Sequence, residues 1–225
     1  MLEVNNISFK YKNKGFQLSD VSLEAEEGYI YTIIGENGSG KTTLLKLIYG
    51  MLTPKSGEIL WNSTKLGTKI LPAFHREVAF VGGVWCVADY SIEKNMDILS
   101  TLYPDFDKEF FEEMLNKADL DSVKNNPYNT LSKGQQVKAE IIFNLAKRPK
   151  FMILDEPLAS LDPVYKVDIL EILQTAVAND NLGILMSTNL LDEIRNITDY
   201  AGIMKDGSLV RWGESTSVFS EGRPA

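Results

Sequence analysis

The stretch Gly35-Glu36-Asn37-Gly38-Ser39-Gly40-Lys41-Thr42 places glycine, lysine and hydroxyl at every constrained position of the spacing G-x-x-x-x-G-K-[ST]. That spacing suits one kind of ligand. Backbone N–H groups left open by Gly35, Gly38 and Gly40 cradle α- and β-phosphates, the Lys41 ammonium reaches the β- and γ-phosphates, and the Thr42 hydroxyl holds Mg²⁺. The residues alone predict binding of a nucleoside triphosphate with Mg²⁺. A second pair of candidates, Asp155 and Glu156, follows the apolar run Phe151-Met152-Ile153-Leu154. An acidic pair at the carboxyl edge of a buried strand lies where ligands of α/β proteins sit. Asp155 suits Mg²⁺, mostly through water, because that ion keeps much of its hydration shell; Glu156 suits polarising an attacking water. Without the phosphate loop the pair would read as a strand ending in a solvated acidic turn. Behind that loop the functional reading prevails.

A third candidate is Leu131-Ser132-Lys133-Gly134-Gln135-Gln136, heading a helix with Val137, Ile141 and Leu145 on one face. Ser132 and Gln135 fit the S-x-x-Q capping box, which satisfies orphan N–H groups. A capped helix start beside a glycine is also an anion site, and the two roles are compatible.

These residues need a scaffold that brings them together. Tyr29–Ile34 is a β-rich run of strand length just before the phosphate loop. After it, Lys41–Tyr49 carries Leu44, Leu45 and Ile48 at helical spacing and stops at Gly50, a C-terminal cap. The loop therefore joins a strand to a helix N-terminus, whose dipole favours anions. Further short strands are expected around Glu3–Tyr11, Val21–Ala25, Glu58–Trp61 and Val78–Val81. A helical insert follows from roughly Tyr90 to Tyr128, or about residues 90–135 counted to the next helix start. In it Pro104-Asp105-Phe106-Asp107 opens a stretch with Phe110, Met114, Leu115 and Ala118 on one face. Then α/β alternation resumes: a helix from Ser132, a strand at Phe151–Leu154, a helix from Pro163, a strand at Gly183–Ser187 and a helix from Leu190. Such alternation implies a largely parallel sheet covered on both faces.

Bulk properties set outer bounds. A chain of 225 residues is one large domain, and its 44% hydrophobic and 24% charged residues are ordinary for a soluble globular protein. The start, MLEVNNISFK, does not read as a signal peptide, and no apolar run approaches the ~20 residues of a membrane span. Its net charge of −8, from 23 basic and 31 acidic residues, argues against nucleic acid as a partner. The single cysteine, Cys86, excludes an internal disulfide, fits a reducing cytosol and is expected to be a small buried hydrophobe. The one histidine, His75, is expected on the surface of a loop-like stretch, and Ser220–Ala225 is expected to fray.

The order of GENGSGKTT, LSKGQQ, FMILDEP and Ala159-Ser160-Leu161-Asp162 resembles the ATP-binding domain of ABC transporters over nearly the whole chain. The resemblance implies a phosphate-loop NTPase of ABC type: α/β, with a mainly parallel sheet core, an antiparallel β subdomain and a helical subdomain. It adds Asn37, Ser39 and Thr43 to the nucleotide contacts and makes Tyr11 the aromatic that stacks on adenine. Ser132, Gly134 and Gln135 would contact the γ-phosphate of ATP held by a partner's phosphate loop. Asp162 would lie in the loop that communicates across the dimer, although Asp162-Pro163 also reads as an N-cap followed by an N1 proline. The family implies two such domains, an identical pair being the expectation, that clamp two ATP molecules head to tail. They dock on transmembrane permease subunits, which places the chain in the cytoplasm at the inner face of the membrane.

Three positions depart from the family pattern. Within Ala79-Phe80-Val81-Gly82-Gly83-Val84-Trp85, Gly83 stands where a glutamine senses Mg²⁺ and water. Asn189 stands where a histidine contacts the γ-phosphate, and Lys133 replaces the first signature glycine. An amide still donates a hydrogen bond to a phosphate oxygen but carries no positive charge and shuttles no proton. Hydrolysis is therefore expected to be slow. Leu102-Tyr103-Pro104-Asp105-Phe106-Asp107, Leu161-Asp162-Pro163-Val164 and Thr188-Asn189-Leu190-Leu191-Asp192-Glu193 resemble the YtrB-like and bacitracin- or lantibiotic-exporter branch, which moves amphipathic peptides or lipid-linked antibiotics. Two other readings stay open: an ATP-driven switch that gates or signals, and a soluble ABC ATPase acting on nucleic acid or ribosomes.

Overall fold

The computed structural model describes residues 1–12, 15–83 and 86–220. Strands β1 (Leu2–Lys10) and β2 (Gln17–Ala25) pair antiparallel, burying Leu2, Val4 and Ile7 with Leu18, Val21, Leu23 and Ala25. Strand β2 begins four residues before the expected Val21. It is an edge strand, and its solvent-facing Gln17 and half-buried Ser19 mask the strand signal. Strand β3 (Ile30–Ile34) runs into the phosphate loop and helix α1 (Lys41–Ile48), with Gly50 behind it at φ +82° as the sequence requires. Strands β4 (Ser56–Trp61) and β5 (Thr64–Lys65) complete an antiparallel sheet of order β2-β1-β4-β5.

Helix α2 (Leu71–Glu77), with proline in its first turn, occupies the stretch expected to be a loop around His75. His75 is half-buried rather than a surface residue: its ring stacks on Tyr49 at 4.3 Å and its Nε2 lies 2.9 Å from the Tyr49 carbonyl. Strand β6 (Val78–Val81) follows directly.

Helices α3 (Ile92–Leu99) and α4 (Lys108–Lys117) form the expected helical insert, capped by the side chains of Ser91 and Asp107. Phe111, absent from the expected apolar face, is fully buried beside Leu115 and Ala118, while Phe110 and Met114 pack at the margin. Burying such a side chain contributes roughly 1.5–3 kcal/mol. Helix α5 (Lys133–Ala146) has two apolar faces. Val137, Ile141 and Leu145 meet the sheet; Ala139, Ile142, Phe143 and Ala146 join the cluster with Phe111 and Leu115. A helix apolar on both sides is covered on both sides, so α5 joins the parallel-sheet core to the helical insert.

Strand β7 (Phe151–Asp155), helix α6 (Pro163–Asp180), strand β8 (Gly183–Thr188) and the single turn α7 (Leu191–Ile194) follow the expected alternation. The final hairpin of β9 (Tyr200–Lys205) and β10 (Ser208–Glu214), followed by α8 (Ser215–Ser220), was not foreseen, although Asp206-Gly207 between the strands is a hairpin turn signal. The second sheet has the order β10-β9-β3-β8-β7-β6, parallel from β9 to β6 and antiparallel only at β10. Val78, Phe80, Phe151 and Ile153 pack toward α1 and the antiparallel sheet; Ala79, Val81, Met152 and Leu154 pack toward α5 and α6. Both faces are apolar, which is why these strands read as continuous hydrophobic runs. Strand β3 lies between β8 and β9, so the carboxyl ends of these parallel strands converge on the phosphate loop.

Candidate nucleotide site

Gly38 and Gly40 adopt φ of +87° and +110°, a backbone that L side chains rarely adopt, and Gly40 immediately precedes α1. The loop so curved opens its amides onto a cleft of about 670 Å³ lined by Tyr11, Phe16, Asn37, Gly38, Gly40, Lys41, Thr42, Thr43, Asp155 and Glu156. Gly35 has no room for a side chain, because a Cβ would meet the Ser39 hydroxyl at 2.7 Å. Ser39 is buried, and its Oγ has no hydrogen-bond partner among the described residues.

Lys41 is 3% exposed, so its charge needs local compensation. Its ammonium donates to the carbonyls of Gly35 (2.7 Å) and Glu36 (3.2 Å) and lies 3.2 Å from a Glu156 carboxylate oxygen. Thr42 Oγ1 donates to Asp155 Oδ1 at 2.9 Å, so hydroxyl and carboxylate from two separate motifs meet. Ser187, in β8 between them, donates to the same Asp155 oxygen at 2.8 Å and accepts from the Glu156 N–H at 3.0 Å. Sequence reasoning missed Ser187; a hydroxyl closing an otherwise apolar strand was the available signal. Glu156 itself is held at φ +50°, a strained conformation for a residue with a Cβ and one that clusters at functional positions.

Tyr11 stands at the cleft wall, its ring edge-on to Phe9 at 4.8 Å and its hydroxyl 3.4 Å from Thr43 Oγ1. Phe16, also unforeseen, covers Gly40 from the same side. A second aromatic in the cleft gives a base two apolar surfaces to meet.

The signature segment lies elsewhere. Ser132 and Gln135 form the predicted capping box: Gln135 N–H donates to Ser132 Oγ at 3.3 Å, and Ser132 N–H donates to Gln135 Oε1 at 2.9 Å. Gly134 has a packing reason as well, since a Cβ there would run into the Tyr165 ring. Ser132 and Lys133 are exposed, and neither these residues nor Gln135 lines the phosphate cleft. Asp162 is also exposed; it precedes α6, but its carboxylate makes no capping bond, so the N-cap reading holds for the backbone alone. Asn189 lies exposed just past β8, outside the lining of the cleft.

Gly83 follows β6 and lines a second cleft of about 250 Å³ with Glu140 and Lys147; Val84 and Trp85 lie outside the described residues. Burial lowers the Lys147 amine to about 8. Cys86 is only half-buried, which corrects the expectation of a buried hydrophobe. Desolvation, with a smaller contribution from the Glu140 charge, raises its thiol to about 11. At the chain end, Ser220 closes α8, and the remainder of the segment expected to fray, residues 221–225, lies outside the described residues.

A strand, a glycine-rich turn opening a helix, and a carboxylate bonded to the helix-start threonine together define a phosphate-loop nucleotide-binding protein. The ABC transporter family profile matches residues 18–159. The chain belongs to the ABC transporter family as an ATP-hydrolysing, ATP-binding subunit. It is similar to YtrB, an ABC transporter ATP-binding protein of Bacillus subtilis, at 31% identity over 93% of this chain and 70% of YtrB. It is also similar to the lantibiotic transport ATP-binding protein SrtF of Streptococcus pyogenes, at 25% identity over 93% of this chain and 89% of SrtF. Both belong to the branch that the sequence resembles. Among solved structures, the ATP-binding cassette MJ0796, a dimer bound to ADP and phosphate, superposes with a TM-score of 0.84 at 25% identity, covering 96% of this chain and 99% of MJ0796. Among the described residues no helix is long and apolar enough to cross a membrane.

Proposed function

We propose that two copies of this chain close head to tail around ATP and power a membrane-embedded exporter of amphipathic peptides or hydrophobic antibiotics. One observation carries the pairing. Lys41, Thr42, Asp155 and Glu156 converge in one cleft, while Ser132 and Lys133 are exposed at the start of another element and neither they nor Gln135 lines that cleft. The signature therefore completes the site of a second chain. The cargo class is supported by likeness to YtrB and SrtF. Attachment to permease subunits at the inner face of the membrane is supported by likeness to the transporter ATP-binding proteins YtrB and SrtF.

The residues divide the work. Lys41 and the amides of Gly38–Thr42 grip the phosphates, and Tyr11 and Phe16 wall the base. Thr42 and Asp155, already bonded to each other, are the residues that would hold Mg²⁺, which would supply charge compensation to the phosphates. Lys41, in taking a phosphate oxygen, gives up its ion pair with Glu156, whose carboxylate then orients water. Asn189 donates a hydrogen bond without charge, which slows the step. That substitution also favours a second reading, in which a long-lived ATP-bound pair gates or signals.

The test is assembly and partner. Glu156→Gln with Mg·ATP is expected to elute at twice the monomer mass, and the tagged chain is expected to recover a polytopic membrane protein from detergent extract. A monomer under saturating ATP, or recovery of ribosomes instead, sinks the reading. Turnover stimulated by the membrane partner separates pump from switch.

A further inference from the structure

Behind the nucleotide site lies a buried carboxylate that the proposed chemistry leaves unused. Glu140, in the middle of α5, is 7% exposed. Its Oε1 accepts the Gly82 N–H at 2.9 Å, and the Gly83 amide also stabilises the charged form. Gly82 directly follows β6 at φ +116°, and a Cβ there would lie 3.0 Å from the Asp155 Cβ and 3.1 Å from the Asp155 carbonyl oxygen. The turn after β6 is thus pressed on Asp155 from one side and held by Glu140 from the other. Asp155 in turn accepts from Thr42 at 2.9 Å.

Stability does not explain this carboxylate. Burial raises the Glu140 carboxyl above its usual range, and the amides of Gly82 and Gly83 and the charges of Lys133 and Lys147 only oppose that shift. An apolar side chain would fill the middle of α5 without the desolvation cost. What a carboxylate adds is a directed tie, from the helix that starts at Ser132 to the turn that contacts Asp155. The tie meets the chain beside Gly83, where the glutamine expected from the family pattern is missing.

We propose that Glu140 is a positioning residue for ATP hydrolysis, anchoring the Gly82–Gly83 turn against Asp155 and coupling helix α5 to the Thr42–Asp155 pair. The inference rests on the hydrolytic reading of the cleft. Glu140 touches no phosphate; it acts through the backbone beside Asp155.

The test compares Mg·ATP turnover of the purified full chain with its binding of a fluorescent ATP analogue in the absence of Mg²⁺. Glu140→Ala is expected to lower kcat about 10- to 100-fold, the usual cost of a misplaced catalytic group, with Kd for the analogue and the melting temperature near those of the wild type. Glu140→Gln retains an oxygen that accepts from Gly82 and is expected to return kcat to within about threefold of wild type. Glu140→Asp keeps the charge but shortens the arm, and is expected to fall with alanine. Wild-type turnover in the alanine or aspartate variant, a glutamine variant as slow as alanine, or a Kd that weakens in step with kcat overturns the proposal. A wild-type chain without turnover overturns the hydrolytic reading instead, and the proposal with it.

Discussion

The phosphate cleft and the signature face carry equally specific motifs, yet the chain treats them differently. In the cleft, residues far apart in sequence are bonded together: Thr42 to Asp155, Lys41 to Glu156, and Ser187 to both acidic residues. On the signature face, Ser132 and Gln135 satisfy each other within one helical turn, and Ser132 additionally donates to the Tyr165 hydroxyl at 3.4 Å. One region is finished by its own fold. The other is well formed within its own helix, and its proposed function needs a second molecule. The difference shows that motif strength and site completeness are separate properties.

Four measurements sharpen or break that contrast. The largest effect is expected in the cleft. Glu156→Gln removes the carboxylate proposed to orient water, and steady-state phosphate release should fall about 100- to 1000-fold while ATP binding persists. Turnover near wild type would show that the cleft does not work as its contacts suggest. Next comes the signature face. Ser132→Asp keeps a good N-cap but places a negative charge where a partner's γ-phosphate would sit, so turnover should fall about 10- to 100-fold with melting unchanged. Undiminished turnover would mean that the two regions never meet.

A smaller, opposite effect is expected from Asn189→His, which restores a group able to carry charge and a proton. Its kcat should rise about tenfold in the assembled complex, and no rise would count against slow chemistry at this position. The smallest effect concerns the far end of α5. The folded Lys147 amine lies near 8 against an ordinary 10.5, so between these values the unfolded chain binds more protons. Stability contributed through Lys147 therefore rises with pH across that window, by at most about 1.4 kcal/mol per pH unit. The unfolding free energies of wild type and Lys147→Met should converge as pH climbs from 8 toward 10.5; a constant gap would show that the amine is not desolvated.

Much of this molecule was legible in its sequence, and for identifiable reasons. Gly35–Thr42, Asp155-Glu156 and Ser132–Gln135 are local patterns whose spacing encodes their chemistry, and β6, β7 and β8 are apolar runs that only buried strands sustain. The polar face of edge strand β2 conceals its first residues from a hydrophobic pattern, and the expected helix from Leu190 is a single turn that leads into the β9–β10 hairpin. Phe111 and the second apolar face of α5 were invisible because a helix covered on both sides loses its one-sided period. His75 and Cys86 were misjudged because burial of isolated residues depends on what packs over them.

Local spacing carries the nucleotide-binding class, because phosphate binding needs glycines, a lysine and a hydroxyl at short fixed intervals. Which of those residues meet depends on how the sheet is assembled. The order of strands brings Asp155, Ser187 and Thr42 into hydrogen-bond reach and sets Lys41 beside Glu156. It leaves Ser132 and Lys133 exposed and runs Glu140 from α5 to the Gly82 amide. Those relations span long stretches of chain, and long-range contacts are set by how a sheet is threaded and packed, which no local spacing records.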